Sequence, residues 1–412
     1  MKRLAAALFV SVSISNFAVA ADWPQWRGPN RDGISRETGL LKQWPAGGPP
    51  LLWERKDLGT GYSSPIVVDG VVYIQTTKQS DEFTVALEEK TGKEIWSTKI
   101  GTVGKNQGPQ YPGTRATPTF DQGRLYCLSS NGELNAINAK DGKTVWQKSL
   151  RTEFDGKVGM WAYTESVLID GDDLVCTPGG EKATLAKLNK TTGETVWTCA
   201  VPGGDLADYA SIMVVEGGGR KQYVQYMRKN FVGVDAKTGQ FLWKNNKTQD
   251  PGASILTPVV SGSRVFVSGS RSGGAAFDLK AEGKGVTADE AYFNKKMSPS
   301  LGGAVLIDGY LYGTNTNELL CVDFKTGEVK WSDRSVGSAS ICAADGMLYV
   351  RGYNVPGDIA LVKPDPKEYK EISRFKQPNK TAVQGWPHPV VANGHFYIRD
   401  QDILLCFDVR AK

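Results

Sequence analysis

Residues 64–96 read SPIVVDGVVYIQTTKQSDEFTVALEEKTGKEIW, and this stretch decides the fold. Asp69-Gly70 stands between two apolar runs, the chemistry of a tight hairpin turn in which both central residues need positive φ. Thr91-Gly92 follows the third run, and Trp96 comes four residues after that glycine. The stretch predicts four antiparallel strands, A to D, with A–B and C–D hairpins.

The chain then repeats it. The A–B turn signal recurs at Asp121-Gln122-Gly123, Asp170-Gly171, Glu216-Gly217-Gly218, Ser261-Gly262, Asp308-Gly309, Asp345-Gly346 and Asn393-Gly394, making eight. The C–D signal recurs at Gly142/Trp146, Gly193/Trp197, Gly239/Trp243 and Gly327/Trp331. The fifth and seventh repeats lack it, ending around Tyr292-Phe293 and Phe375. The eighth has no strand D of its own. Residues 51–59, LLWERKDLG, look like that missing strand, with Trp53 in the tryptophan position. An N-terminal strand that completes the last repeat closes a ring and removes the open edge. Eight four-stranded units of this period predict an all-β, eight-bladed β-propeller. Strands such as PIVVDGVVYI are apolar nearly throughout, as expected for sheets covered on both faces. Pro65, Pro118, Pro258 and Pro389 open strand A, where the ladder tolerates proline.

Residues 1–20 read as a cleavable targeting segment. A basic Lys2-Arg3 precedes a short apolar run, and Ala18-Val19-Ala20 gives a small-x-small cleavage site. The apolar run is too short to span a membrane. The mature chain is expected to start near Ala21, to be exported to a periplasm or secreted, and to carry no lipid, because no cysteine lies near the cleavage site. No other long apolar run suggests a transmembrane segment. Residues 21–50, rich in Trp, Pro and Gly, are expected to strap across the body formed by 51–412.

The chain has 49 basic and 44 acidic residues, a net charge of +5. That is too mild to imply nucleic-acid binding. Export would permit disulfides among the six cysteines. Most sit inside apolar strand runs, so buried free thiols are the simpler expectation, with Cys176 and Cys199 the pair to test.

The motifs ALEEKTGKEIW, AINAKDGKTVW, KLNKTTGETVW, GVDAKTGQFLW and CVDFKTGEVKW resemble the PQQ-like, quinoprotein-type propeller repeat. That resemblance covers residues 51–409. It implies that Trp53, Trp96, Trp146, Trp197, Trp243 and Trp331 are structural, docking between blades. The family's dehydrogenase branch implies PQQ with calcium at the propeller mouth. Its BamB-like branch implies a protein-interaction scaffold of outer-membrane assembly. This chain departs from both. It has no adjacent-cysteine disulfide motif, no CxxCH, and no lipoprotein cysteine. WPQWRGPNRDG resembles the N-terminal extension of exported PQQ-like repeat proteins of unassigned function.

Any ligand site is expected on the rim opposite the TG and DG turns. Residues before strand A place Tyr62, Arg115, Trp161, Tyr163, Glu165, Tyr209, Ser300, Ser338, Trp386 and His388 there. The B–C loops add Arg228, Lys229, Asn230, Arg271, Asn315, Asn317, Arg351 and Asp400. Arg115, Arg228, Arg271 and Arg351 would suit an anion, with planar rings for stacking. PQQ or an acidic sugar would satisfy the pattern. The competing reading pairs these arginines with Glu165, Asp205, Asp208 and Asp400 along a water-filled channel. One glutamate does not make a calcium site, and two histidines, His388 and His395, argue against zinc or copper. The sequence thus favours a monomeric binding scaffold with an envelope protein or a small anion as partner and no resident cofactor. A PQQ-dependent dehydrogenase and a carbohydrate-active propeller using Glu165 are the alternatives.

Overall fold

A computed structural model describes residues 21–104, 111, 113–269, 271–297, 301–353 and 357–411. The targeting segment and Ser300 lie outside these residues.

The first strands are β1 (Ile34–Ser35), β2 (Leu51–Arg55), β3 (Ile66–Val68), β4 (Val71–Lys78), β5 (Asp81–Glu88) and β6 (Glu94–Thr102). Strands β3 to β6 form the first blade in simple order. Val68 pairs with Val71 across the Asp69-Gly70 turn, whose φ values of 50° and 77° are those the DG signal calls for. Seven further sheets follow at 119–149, 168–199, 213–245, 259–294, 304–333, 339–376 and 390–408, giving an eight-bladed β-propeller. Helix is almost absent among the described residues; Leu150–Phe154 forms one short turn. No helix there is long and apolar enough to cross a membrane.

The ring closes as the sequence predicts. Strand β2 pairs antiparallel with Ile403–Asp408 and sets Trp53 opposite Cys406, making it strand D of the eighth blade. It ends at Arg55, short of residue 59.

The repeated tryptophan and glycine are two halves of one joint. Gly92 of blade 1 lies against Trp53 of blade 8, Gly142 against Trp96, Gly193 against Trp146 and Gly239 against Trp197; a Cβ on any of these glycines would come within 3.0 Å of the indole. Their φ values, 68° to 76°, also favour glycine. In blade 5 the same place is taken by Tyr292, which packs on Gly327. Trp243 departs from the expectation. Its indole donates to Gln222 Oε1 of its own blade at 2.8 Å and stacks edge-on to Phe231, because blade 5 offers no TG turn to receive it.

All six cysteines are buried and free. Cys176 and Cys199 sit on strands separated by Leu185–Asn189, so no bridge joins them.

Strands A are short and buried, whereas strands D are half exposed, so strands A face the ring axis. Residues 21–50 exceed a strap across the body. They enter the axis from the side of the A–B turns. Trp23 pairs with Val67 in both directions, β1 pairs in parallel with Ala343 and Ala344, and the Glu37 carboxylate accepts from the Gly394 amide at 2.8 Å. The tip of the segment then reaches the other ends of the A strands. Trp26 Nε1 donates to Thr257 Oγ1 at 3.0 Å, the Arg27 guanidinium bonds the Ala304 carbonyl, and Arg31 Nη2 bonds the Ser166 carbonyl at 2.7 Å. The segment is a plug tied to blades on all sides of the ring.

Candidate functional site

With the axis plugged from below, the opposite rim becomes a blind cup of about 340 Å³. Seven of the eighteen rim residues singled out in the sequence line it: Tyr62, Arg115, Trp161, Tyr209, Arg271, Trp386 and His388. The D–A connections deliver most of them, because each such loop must turn inward to start an innermost strand. Rings pack along its sides in pairs: Tyr62 with Trp386 at 4.9 Å, Tyr111 with Trp386 at 4.6 Å, and Trp161 with Tyr209 at 5.5 Å. The Trp161 amide is fixed by the Tyr209 hydroxyl at 2.8 Å.

Three candidates sit behind the wall. Arg351 is fully buried, bonding Gln377 Oε1 at 3.0 and 3.1 Å and the carbonyls of Gly385 and Pro387 at 3.0 and 3.2 Å. It therefore clamps the loop that presents Trp386. Arg228 bonds the carbonyls of Pro251 and Gly252 at 2.7 and 2.6 Å and lies 3.9 Å from Asp208. It props the loop whose Gly252 and Ala253 line the cup. Glu165 is buried and accepts from the Thr177 amide and hydroxyl at 2.7 and 2.9 Å, with Gln225 at 3.3 Å. Burial pushes its pKa up to about 7. The pairing of arginines with carboxylates foreseen from the sequence thus holds for Arg228 and, at 3.8 Å from Asp400, for Arg351. It does not hold for the other two. Arg115 bonds only the Gly113 and Tyr111 carbonyls and lies 5.7 Å over the Tyr62 ring, with no carboxylate in ion-pair reach among the described residues. Arg271 likewise has no such partner there.

The remaining described candidates do not line the cup. Tyr163 donates to the Pro178 carbonyl at 2.7 Å, Asn230 and the Lys229 amide hold Asp205, and Ser338 bonds the Thr316 carbonyl. Asn315 organises its own turn by accepting from the Asn317 and Glu318 amides, both at 2.8 Å.

Two residues that sequence reasoning did not place here are Trp26 and Arg27, carried in by the plug. Three tryptophans in residues 21–50 signalled burial, but nothing local signalled where. Trp26 lies 4.5 Å from the His388 ring. Burial, with Arg27 nearby, pushes the His388 pKa down to about 3, so the ring is neutral and its Nε2–H donates to the Leu301 carbonyl at 3.1 Å. Burial also pulls the Arg27 guanidinium down to about 10, still charged at neutral pH. Among the described residues no Asp or Glu lines the cup, and no group of three or more His, Cys, Asp or Glu suited to a metal occurs.

A family model described as outer membrane protein assembly factor BamB matches residues 80–333, more than half of the chain. The chain belongs to this family. BamB of Yersinia pestis is 23% identical over 328 residues, covering 75% of this chain and 76% of that protein. Tetrathionate hydrolase of Acidithiobacillus ferrooxidans is 25% identical over 309 residues, and the match spans 56% of this chain and only 58% of the hydrolase. Among solved structures, quinohemoprotein alcohol dehydrogenase from Comamonas testosteroni superposes with a TM-score of 0.63 at 15% identity, covering 95% of this chain and 81% of that one. At that identity the likeness is one of fold.

Proposed function

We propose that this chain is an exported binding scaffold of the cell envelope, working in the periplasm, whose cup takes a small anionic ligand while its outer strands engage a protein partner. The observation that carries the reading is the cup itself: cationic and aromatic, with no carboxylate among the described residues that line it. Membership of the BamB family favours a partner protein. So do Leu52, Ile95, Val145 and Val196, 45% to 54% exposed on the outer strands of blades 8, 1, 2 and 3, each just before a docking tryptophan. Apolar side chains on unpaired edge strands suit strand addition by a partner.

The donor set does not fit calcium-bound PQQ. Calcium takes six or more oxygens, carboxylates foremost, and among the described residues the cup offers only hydroxyls and carbonyls. A carbohydrate-cleaving reading needs two facing carboxyls, and Glu165 is occupied behind the wall. No redox or hydrolytic step is therefore assigned. Titration of the protein from Ala21 onward with PQQ as a polyanionic probe, with and without calcium, tests the reading by tryptophan fluorescence. We expect binding that weakens with salt and ignores calcium. Calcium-dependent binding would favour the dehydrogenase branch, and no binding at low salt would remove the anion from the reading.

A further inference from the structure

The lining of the cup includes buried donors that find no acceptor among the described residues. Arg27 is only 4% exposed, yet its Nη1 has no hydrogen-bond partner among the described residues. The rest of the guanidinium is committed: Nε to the Arg31 carbonyl at 3.3 Å, and Nη2 to the carbonyls of Asp32 at 3.0 Å and Ala304. The free edge lies against Gly303, where even a Cβ would sit 2.3 Å from Nη1. Any larger residue at 303 would collide with this edge. Two more lining groups are orphaned in the same way, Thr164 Oγ1 and the Trp386 indole nitrogen. Each can donate. Buried donors without acceptors are rare in folded proteins and costly to leave so.

Resting on the reading of the cup as an anion site, we infer that the plug is part of that site, with Arg27 anchoring the carboxylate of a ligand whose flat apolar body lies between the aromatic walls. A carboxylate suits this floor better than a phosphate. A single guanidinium nitrogen with one free edge suits the single charge of a carboxylate. A dianion with three oxygens would leave charge facing Ile255, Leu256 and Leu301, which also line the cup. The flat body follows from the paired rings. Arg115 and Arg271 then serve the entrance, drawing the anion in.

The test is a fluorescence titration of the protein from Ala21 onward with 1-naphthoate, against uncharged 1-naphthalenemethanol. Arg27→Met keeps the length of the side chain and removes the charge. Gly303→Ala keeps the charge but puts a Cβ 2.3 Å from Nη1, so the guanidinium edge must shift away from its place, and circular dichroism checks that each variant folds. We expect naphthoate to bind more tightly than the alcohol. We expect either variant to weaken naphthoate by about tenfold or more, the usual worth of a hydrogen bond to a charged group, and to leave the alcohol nearly unchanged. Naphthoate binding that both folded variants retain, but Arg115→Ala loses, would overturn the inference and keep the cup as an anion site. No naphthoate binding by the wild type, together with no PQQ binding, would overturn both. Where Arg27→Met does not fold, Gly303→Ala decides.

Discussion

The indole nitrogens of Trp53, Trp96, Trp146 and Trp331 donate to backbone carbonyls of the next blade, at Glu89, Ala139, Lys190 and Asp365, over 2.7 to 3.1 Å. Trp197 packs on Gly239 in the same way, but its Nε1 has no partner among the described residues. The joint therefore has two separable parts, ring packing and one hydrogen bond. Trp146→Phe should cost about 1 kcal/mol more than Trp197→Phe, the net worth of a hydrogen bond in a folded chain. Urea unfolding of the two variants measures the difference, and equal costs would show that packing alone holds the joint. These tryptophans were legible because the spacing repeats. Trp243 carries the same spacing and behaves otherwise, because its receptor turn belongs to the next blade and not to its own sequence.

At the scale of elements, β2 and the plug are consecutive in the chain but do different work. Strand β2 completes the sheet of blade 8 and seats Trp53 on Gly92. The plug tip, residues 23–33, builds the cup floor. A protein beginning at Ile34 keeps β1 and β2 and should still unfold in one cooperative transition, at a lower temperature because buried Trp23 is lost. It should also lose the naphthoate site. A protein beginning at Gly61 lacks the closing strand as well and should aggregate or melt without cooperativity, its eighth sheet left with an open edge. Calorimetry and size-exclusion chromatography separate the cases, and equal cooperativity in both would mean that β2 is dispensable for closure. Closure could be read from the sequence, since a three-stranded last repeat and a lone leading strand account for each other. The plug's path could not, because Pro and Gly-rich segments carry no periodicity from which to infer a partner.

The molecule as a whole stores several charges away from water, and its stability should depend on pH accordingly. Burial pushes the carboxyls of Glu82, Glu165 and Asp208 up to about 7, against about 4 in an unfolded chain. The stability they carry is full below pH 4 and is lost as pH rises through 7. His388 runs the other way, full above about 6.5 and lost as pH falls toward 3. Three carboxyls outweigh one imidazole, so the melting temperature should fall between pH 5 and 7.5. Glu165→Gln should flatten that fall by up to about 1.4 kcal/mol per pH unit, one proton's worth. A melting temperature that climbs over this range would contradict the burial assigned to these groups. The sequence by itself determined the number of blades, their strand order, the closing strand and most of the rings around the mouth. These follow from local signals, turn residues and apolar periods, repeated often enough to be read as a ring. Only the tertiary structure decided which arginines face the cup. Arg115 and Arg351 were both expected on the same rim, yet Arg351 stands on the strand Met347–Gly352 and finds Gln377 and three further carbonyl or carboxylate oxygens behind the wall, and Arg115 finds none beyond its own loop. Whether a buried charge is spent on the fold or left for a ligand depends on partners more than twenty residues away, and for Arg27 on a plug that crosses the whole ring.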